Sequence, residues 1–388
     1  MKTLYVHIGA PKTGTTSIQK FCQENKEILE KKGYCYPKFP WKYQVPPTRR
    51  NALFLYKEIY DEHGNRMKEE EARRAAGGFR MVSELFGTFE NVILSDEILW
   101  HAFYKRKKTI WKELREEGEK NGYKVKIIVY LRRQDEYVSS WWNQIIKTGA
   151  KTPQTGYEMI TWEQYSSKVP KSMHLDYFSA LEEIASDLGR ENIIVRRFQV
   201  KDFFGGSIQT DFLHCLGLEA TDEFLIEKEY VNLKLSGNAP EIKRILNTIP
   251  GQTSEEKSFF KNVLLDCSPV FQQYYPCQMF SADEARAFVS RFEESNRRVA
   301  QEYLGENESS LFAGEFKQDE KWEKNNPCMQ DDMIRFMGEV SLNLLGRVNE
   351  QQQEIDRLRR EMDRMKSAVR NPLKWIWKRI RTKLGSST

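Results

Sequence analysis

The tightest constraint on the fold sits at the start of the chain. A continuous apolar run, Leu4-Tyr5-Val6-His7-Ile8, is followed at once by Gly9-Ala10-Pro11-Lys12-Thr13-Gly14-Thr15-Thr16. Runs that are apolar throughout, rather than alternating, belong to strands buried on both faces. Thr15–Lys32 then sets Ile18, Phe21, Cys22 and Leu29 on one face and stops at Gly33, a natural helix C-cap. Strand, glycine-bearing loop and helix N-terminus in succession make an anion site, because loop amides turn inward and the helix dipole adds positive potential. A turn that binds nothing has no use for a lysine, two glycines and three threonines packed behind a strand.

Three more apolar runs, Val92–Leu94, Val125–Leu131 and Ile193–Val195, read as companion strands. Between them Glu69–Phe86, Thr109–Asn121 and Asp176–Leu188 carry helical periodicity. Strands alternating with helices predict an α/β domain whose parallel sheet is flanked by helices, here assigned to residues 1–310. Ligands of such sheets bind beyond the carboxyl ends of the strands, so the residues just after each strand are the candidates. From Tyr230 to Tyr303 the pattern is mainly helical and holds no legible chemistry.

A net charge of +5 over 388 residues is too small to announce a nucleic-acid binder. The six cysteines lack CxxC spacing, against both a disulfide framework and a zinc site. His63, His174 and His214 have no companions that point to catalysis or metal, and His7 reads as structural. The first apolar run is too short for a signal peptide, and no stretch reaches the ~20 apolar residues of a membrane span. A reducing cytoplasm is the expected setting, which leaves the glycosylation pattern Asn307-Glu308-Ser309 to chance.

The two glycines of the first loop have Walker A spacing, but the residue after the second is Thr15, and the lysine is Lys12, three positions earlier. On Pro11-Lys12-Thr13-Gly14-Thr15-Thr16 the chain resembles the superfamily of sulfotransferases that use 3′-phosphoadenosine 5′-phosphosulfate (PAPS), whose loop reads Pro-Lys-x-Gly-Thr-Thr. The resemblance implies a P-loop-like fold and covers roughly Met1–Phe212. It implies that Lys12 sits by the oxygen bridging phosphate and sulfuryl group, that Thr15 and Thr16 bind the 5′-phosphate, and that Pro11, Thr13 and Gly14 complete the cofactor-binding loop. The family carries a second element, an arginine at a strand end with a serine eight residues on. Arg132 and Ser140 have that spacing after Val125–Leu131, and the resemblance gives them the 3′-phosphate. Here Arg133-Gln134 stands where Asn-Pro is usual and Glu136 where Asp is usual, so Arg133 is the alternative to Arg132. The family requires no metal.

Transfer to a hydroxyl needs a base near the reacting centre. Val92–Leu94 is followed by Ser95-Asp96-Glu97-Ile98-Leu99-Trp100-His101. Glu97 is the preferred base, with Asp96 and His101 as competitors; Ser95 and, in part, Asp96 suit helix capping. Trp41, Tyr43, Trp100, Trp141, Trp142 and Trp162 are candidates to stack on a sugar acceptor, though each is also a good core residue.

Residues 311–333 are polar and read as a linker. Counting heptads from Ile334 puts Ile334, Ser341, Val348, Ile355, Met362 and Val369 at a, and Met337, Leu344, Gln351, Leu358 and Met365 at d. That seam predicts a coiled coil over 334–370, hence a homo-oligomer, dimer or trimer; a single helix packed back on the domain is the alternative. Residues 371–388 set Leu373, Ile376, Trp377, Ile380 and Leu384 against lysines and arginines, the pattern of a basic amphipathic helix on a membrane surface. The whole reads as a bacterial sulfotransferase, cytoplasmic and peripheral on the inner face of the membrane. Its acceptor is expected to be a carbohydrate hydroxyl of a surface polysaccharide or glycolipid, with no nucleic acid involved. The rivals are a P-loop kinase using ATP and magnesium, helped by Asp96, and a coiled-coil scaffold with a vestigial nucleotide site.

Overall fold

The computed structural model describes residues 2–43, 49–101, 109–149, 159–226, 234–307, 310–312, 314–370, 373 and 376. The chain divides into two compact units, Met1–Lys234 with Pro276–Trp322, and Leu235–Tyr275 with Glu323–Thr388.

The first unit is an α/β body built on β1 (Thr3–His7), β2 (Tyr34–Cys35), β3 (Asn91–Ser95), β4 (Lys124–Leu131) and β5 (Ile193–Arg197). The sheet has five strands in the order β2-β3-β1-β4-β5, all pairs parallel. Central β1 is buried along its whole length. Its side chains alternate between two cores. Leu4 and Val6 join Val92, Leu94, Ile127 and Val129 on one face. Tyr5 joins Ile93, Ile128 and Tyr130 on the other. Burying an aliphatic side chain of this size stabilises by ~1.5–3 kcal/mol, so a strand apolar on both faces is held only between two helical layers.

Those layers include α1 (Thr15–Glu24), α2 (Lys26–Lys31), α3 (Lys68–Leu85), α4 (Ile110–Asn121), α5 (Gln134–Thr148), α6 (Trp162–Ser167), α7 (Tyr177–Leu188) and α8 (Ile208–Leu216). The single helix expected over Thr15–Lys32 breaks at Asn25. Its buried amide donates to Phe21 O and Leu225 O, both at 3.0 Å, and accepts from Leu225 N at 2.7 Å. Segment 311–333, expected as a linker, contributes to packing instead. Leu311 and Phe312 are buried in the first core, and Glu320–Lys321 pairs in parallel with Cys277–Gln278. Trp322, in the same segment, is buried as well, and its backbone N–H donates to Gln278 O at 2.7 Å.

The second unit packs Leu235, Ile242, Val263, Leu264 and Phe271 around Phe336 and Val340 of a continuous helix, Met329–Arg370. That helix spans the whole seam predicted for 334–370, and every residue from Ser341 to Lys366 is exposed. The basic tail, apart from Leu373 and Ile376, lies outside the described residues. Among the described residues no helix is long and apolar enough to cross a membrane.

Candidate anion site at the carboxyl end of the sheet

The loop after β1 is fastened to its neighbour strand. Ile8 N donates to Ile128 O and Ala10 N to Tyr130 O, each at 3.0 Å. Thr13 turns inward and donates its hydroxyl to Ala10 O at 2.5 Å. Gly14 starts α1 without any side-chain cap. Among the described residues, the five consecutive amides of Lys12 to Thr16 donate no backbone hydrogen bond. Lys12 and Gly14 have left-handed backbones, φ 71° and 74°, an arrangement in which successive amides converge on one point. A lysine in that region costs about 1 kcal/mol, and such strain gathers at functional sites.

Two glycines are required by space as well as by φ. A Cβ on Gly9 would lie 2.6 Å from Thr15 Cγ2 and 3.3 Å from Glu97 Cβ. A Cβ on Gly14 would lie 2.5 Å from Ile208 Cδ1 and 3.1 Å from Phe198 Cε2.

The Lys12 ammonium donates to Gln144 Oε1 at 3.2 Å. Burial pulls its pKa down to about 8, Lys147 and Arg132 pull in the same direction, and Glu97 opposes them. Arg132 follows β4 and reaches back to the loop, Nη1 donating to Lys12 O at 3.3 Å and Nε to Glu136 Oε2 at 3.1 Å. Its guanidinium lies 5.7 Å from the centre of the Phe198 ring. Arg133, next in sequence, is spent elsewhere. It is buried, clamps Asp135 through two bonds of 2.7 and 2.9 Å, and lies 4.3 Å from the centre of the Phe316 ring. Ser140 stands half-buried on α5, four residues past Glu136 and four before Gln144.

At the end of β3 the three candidate bases part company. Glu97 is half-buried and packs its stem on Gly9; its Oε2 accepts from Gln19 Nε2 at 3.0 Å. The same amide lies 3.3 Å from Ser95 Oγ, which in turn lies 2.8 Å from His7 Nδ1. Asp96 is fully buried. Its Oδ1 accepts from Ile98 N and its Oδ2 from Tyr56 OH, both at 3.0 Å, with Arg50 at 3.6 Å. Capping, expected of Ser95, falls to Asp96, because the Ser95 hydroxyl points to His7 and Gln19. Burial raises the Asp96 pKa to about 7, with the Glu97 charge adding to it. His101 donates from Nδ1 to Ser172 O at 2.5 Å and lies 3.5 Å from Tyr137 OH. His7 is enclosed by Tyr130 and Phe212, and burial lowers its pKa to about 3.

The aromatic candidates also divide. Trp100, Trp142 and Trp162 are core residues, the first two donating from indole nitrogens to Met173 O and Ile160 O. Trp41 covers Gly77, and Tyr43 lies under Arg74. Trp141 is half-buried beside His101, ring centres 5.3 Å apart. Sequence reasoning missed Gln19 and Gln144. Helical spacing was the available signal, since each lies four residues past a site candidate on the same helix, Thr15 or Ser140.

No family model matches the chain. An uncharacterized protein of Archaeoglobus fulgidus is 27% identical over 186 residues, 46% of this chain and 46% of that protein, so the match spans about half of the relative's length. A crystal structure of a sulfotransferase from Alicyclobacillus acidocaldarius aligns at 15% identity with a TM-score of 0.32, covering 59% of this chain and 87% of that one. A likeness that distant carries no argument about chemistry, and the α/β assignment rests on the sheet described above.

Proposed function

We propose that the chain transfers a sulfuryl group from PAPS to a carbohydrate hydroxyl, that of a bacterial surface polysaccharide or glycolipid. The supporting observation is one juxtaposition: five loop amides with no backbone acceptor beside a guanidinium that reaches the same loop from the end of β4. A nucleotide phosphorylated at both 5′ and 3′ positions suits that pair of anion sites. The amides of Lys12 to Thr16 and the start of α1 take the 5′ side; Arg132 and Ser140 take the 3′-phosphate. The motif resemblance at Pro11–Thr16 supports the same assignment.

When bound, PAPS supplies the sulfuryl group. Lys12 offsets negative charge that grows on the departing phosphate oxygen, a contribution made mainly in the transition state. Glu97, oriented by Gln19, takes the acceptor's proton. Trp141 offers a face for a sugar ring. The basic tail delivers the enzyme to the inner membrane surface. The kinase reading draws its support from Asp96 as a magnesium ligand, and Asp96 is enclosed by Tyr56, Arg50 and its own turn.

Calorimetry with 3′-phosphoadenosine 5′-phosphate, in EDTA and against ATP with magnesium, tests the nucleotide. Tight binding in EDTA and weak ATP binding are expected; equal affinity, or loss of binding in EDTA, overturns the reading. A mass increase of one sulfate on an incubated polysaccharide tests the acceptor.

A further inference from the structure

Among the described residues, the helix Met329–Arg370 buries apolar side chains near its start, where Phe336 and Val340 pack with Ile242 and Val263, and Arg347 lies 4.8 Å from the centre of the Phe259 ring. Beyond Val340 the stripe Leu344, Val348, Ile355, Leu358, Met362 and Met365 is exposed. A lone helix does not hold such a stripe in water at this length, because helices in proteins are stabilised by packing their apolar face.

The charges beside the stripe say what covers it. Counting from Ile334, Glu354 and Glu361 fall at g, and Arg359 and Lys366 at the e positions that follow. In a parallel pair each g residue faces the e residue five positions on in the other helix. Glu354 of one copy then meets Arg359 of the other, and Glu361 meets Lys366, in both directions. Antiparallel pairing of the same four residues sets glutamate against glutamate and arginine against lysine. Farther back, Arg347 at g and Gln352 at e add no ion pair. Val348 and Ile355 at a, with Leu344 and Leu358 at d, are the two-stranded choice of core residues. Gln351, the polar d residue, meets its own copy only when the helices are in register; a slip buries it against aliphatic side chains. Within one chain Glu354 bonds Arg357 at 2.6 Å, an exposed and weak pair that is easily exchanged.

We propose that residues 341–370 bind the same helix of a second copy as a parallel, in-register, two-stranded coiled coil. The self-complementary charges select a second copy over a foreign helix.

Sedimentation of the full chain at micromolar concentration should give the mass of two chains; one or three chains would overturn the proposal. The double variants E354K/E361K and R359E/K366E should each self-associate at least ~10-fold more weakly, since four attractive contacts per dimer become repulsive. Mixed in equal amounts, they should form a one-to-one heterodimer, because every g–e contact is then opposite in sign. Unchanged self-association of either variant, or no heterodimer, counts against the parallel pairing. Orientation is read separately with Gln351→Cys. In-register pairing should yield a covalent dimer on mild oxidation, beyond any formed by the native six cysteines. A Gln351→Cys sample that sediments as a dimer without that bond would refute the register.

Discussion

The loop after β1 and the helix beyond Val340 are incomplete in opposite ways. In the loop the apolar contacts are closed, down to the 2.5 Å that leaves Gly14 no room for a methyl, while its amides lack backbone acceptors. In the helix the charged groups find partners along the chain, Arg357 with Glu354 and Gln352 with Asp356, while the apolar stripe is bare. On the readings proposed above, an anion completes the first and a second copy of the helix completes the second. The kind of group left unsatisfied names the partner more sharply than the size of the surface does.

The largest expected effect tests the anion side of that contrast. Glu97→Gln should lower the rate by ~10²–10⁴-fold and leave nucleotide binding intact in calorimetry. Asp96→Asn and His101→Ala should stay within an order of magnitude of the parent; a dead enzyme from either, beside an active Glu97→Gln, reassigns the base. Lys12→Ala should lower kcat by ~10²–10³-fold. The ammonium is the working form, so kcat/KM should fall as pH rises through about 8, and Lys12→Arg should remove that alkaline limb.

Next in size is the contrast between neighbouring arginines. Arg132→Ala should weaken 3′-phosphoadenosine 5′-phosphate binding ~10–100-fold, the worth of a charged hydrogen bond, and erase the preference over adenosine 5′-phosphate. Arg133→Ala should spare that preference and lower Tm, because its guanidinium is committed to Asp135. The reverse pattern would shift the phosphate contact by one residue.

The smallest effect concerns acid. His7 has a folded pKa of about 3, below its usual ~6.5, so below pH ~6.5 the unfolded chain binds a proton that the folded chain refuses. Stability is lost as pH falls through that window. Asp96, held at about 7, does the opposite: below 7 the folded chain binds the extra proton and gains stability as pH falls toward ~4. Each full slope is ~1.4 kcal/mol per pH unit, and His174, lowered by burial to about 4, adds to the loss from His7, so the parent's urea midpoint should fall as pH drops from ~6.5 to ~4.5. Asp96→Asn should steepen that fall and His7→Phe should flatten it; an unchanged slope in both would mean that neither group is buried as described.

What could be seen in the sequence was what short-range chemistry dictates. Leu4–Ile8 and Val125–Leu131 announce buried strands because both faces need apolar residues. The loop stands out because glycine spacing and threonines serve one geometry. Tyr34–Cys35 could not be seen, since two residues make no pattern. Nor could the break at Asn25, whose partner Leu225 lies 200 positions away. Arg132 and Arg133 are equivalent as letters. Only the turn that swings Arg133 onto Asp135 tells them apart. Ser95 and Glu97 are placed by His7 and Gln19, and Asp96 by Tyr56 and Arg50, all arriving from other elements.

The continuity of the helix past Val340 also sets a length. At 1.5 Å per residue, Arg370 stands about 45 Å from the last buried turn. A flexible linker of the same thirty residues would average roughly 30 Å and sample everything from zero outward. The helix replaces that range with a nearly fixed standoff. Arg370 itself is held at one height above the second unit's core.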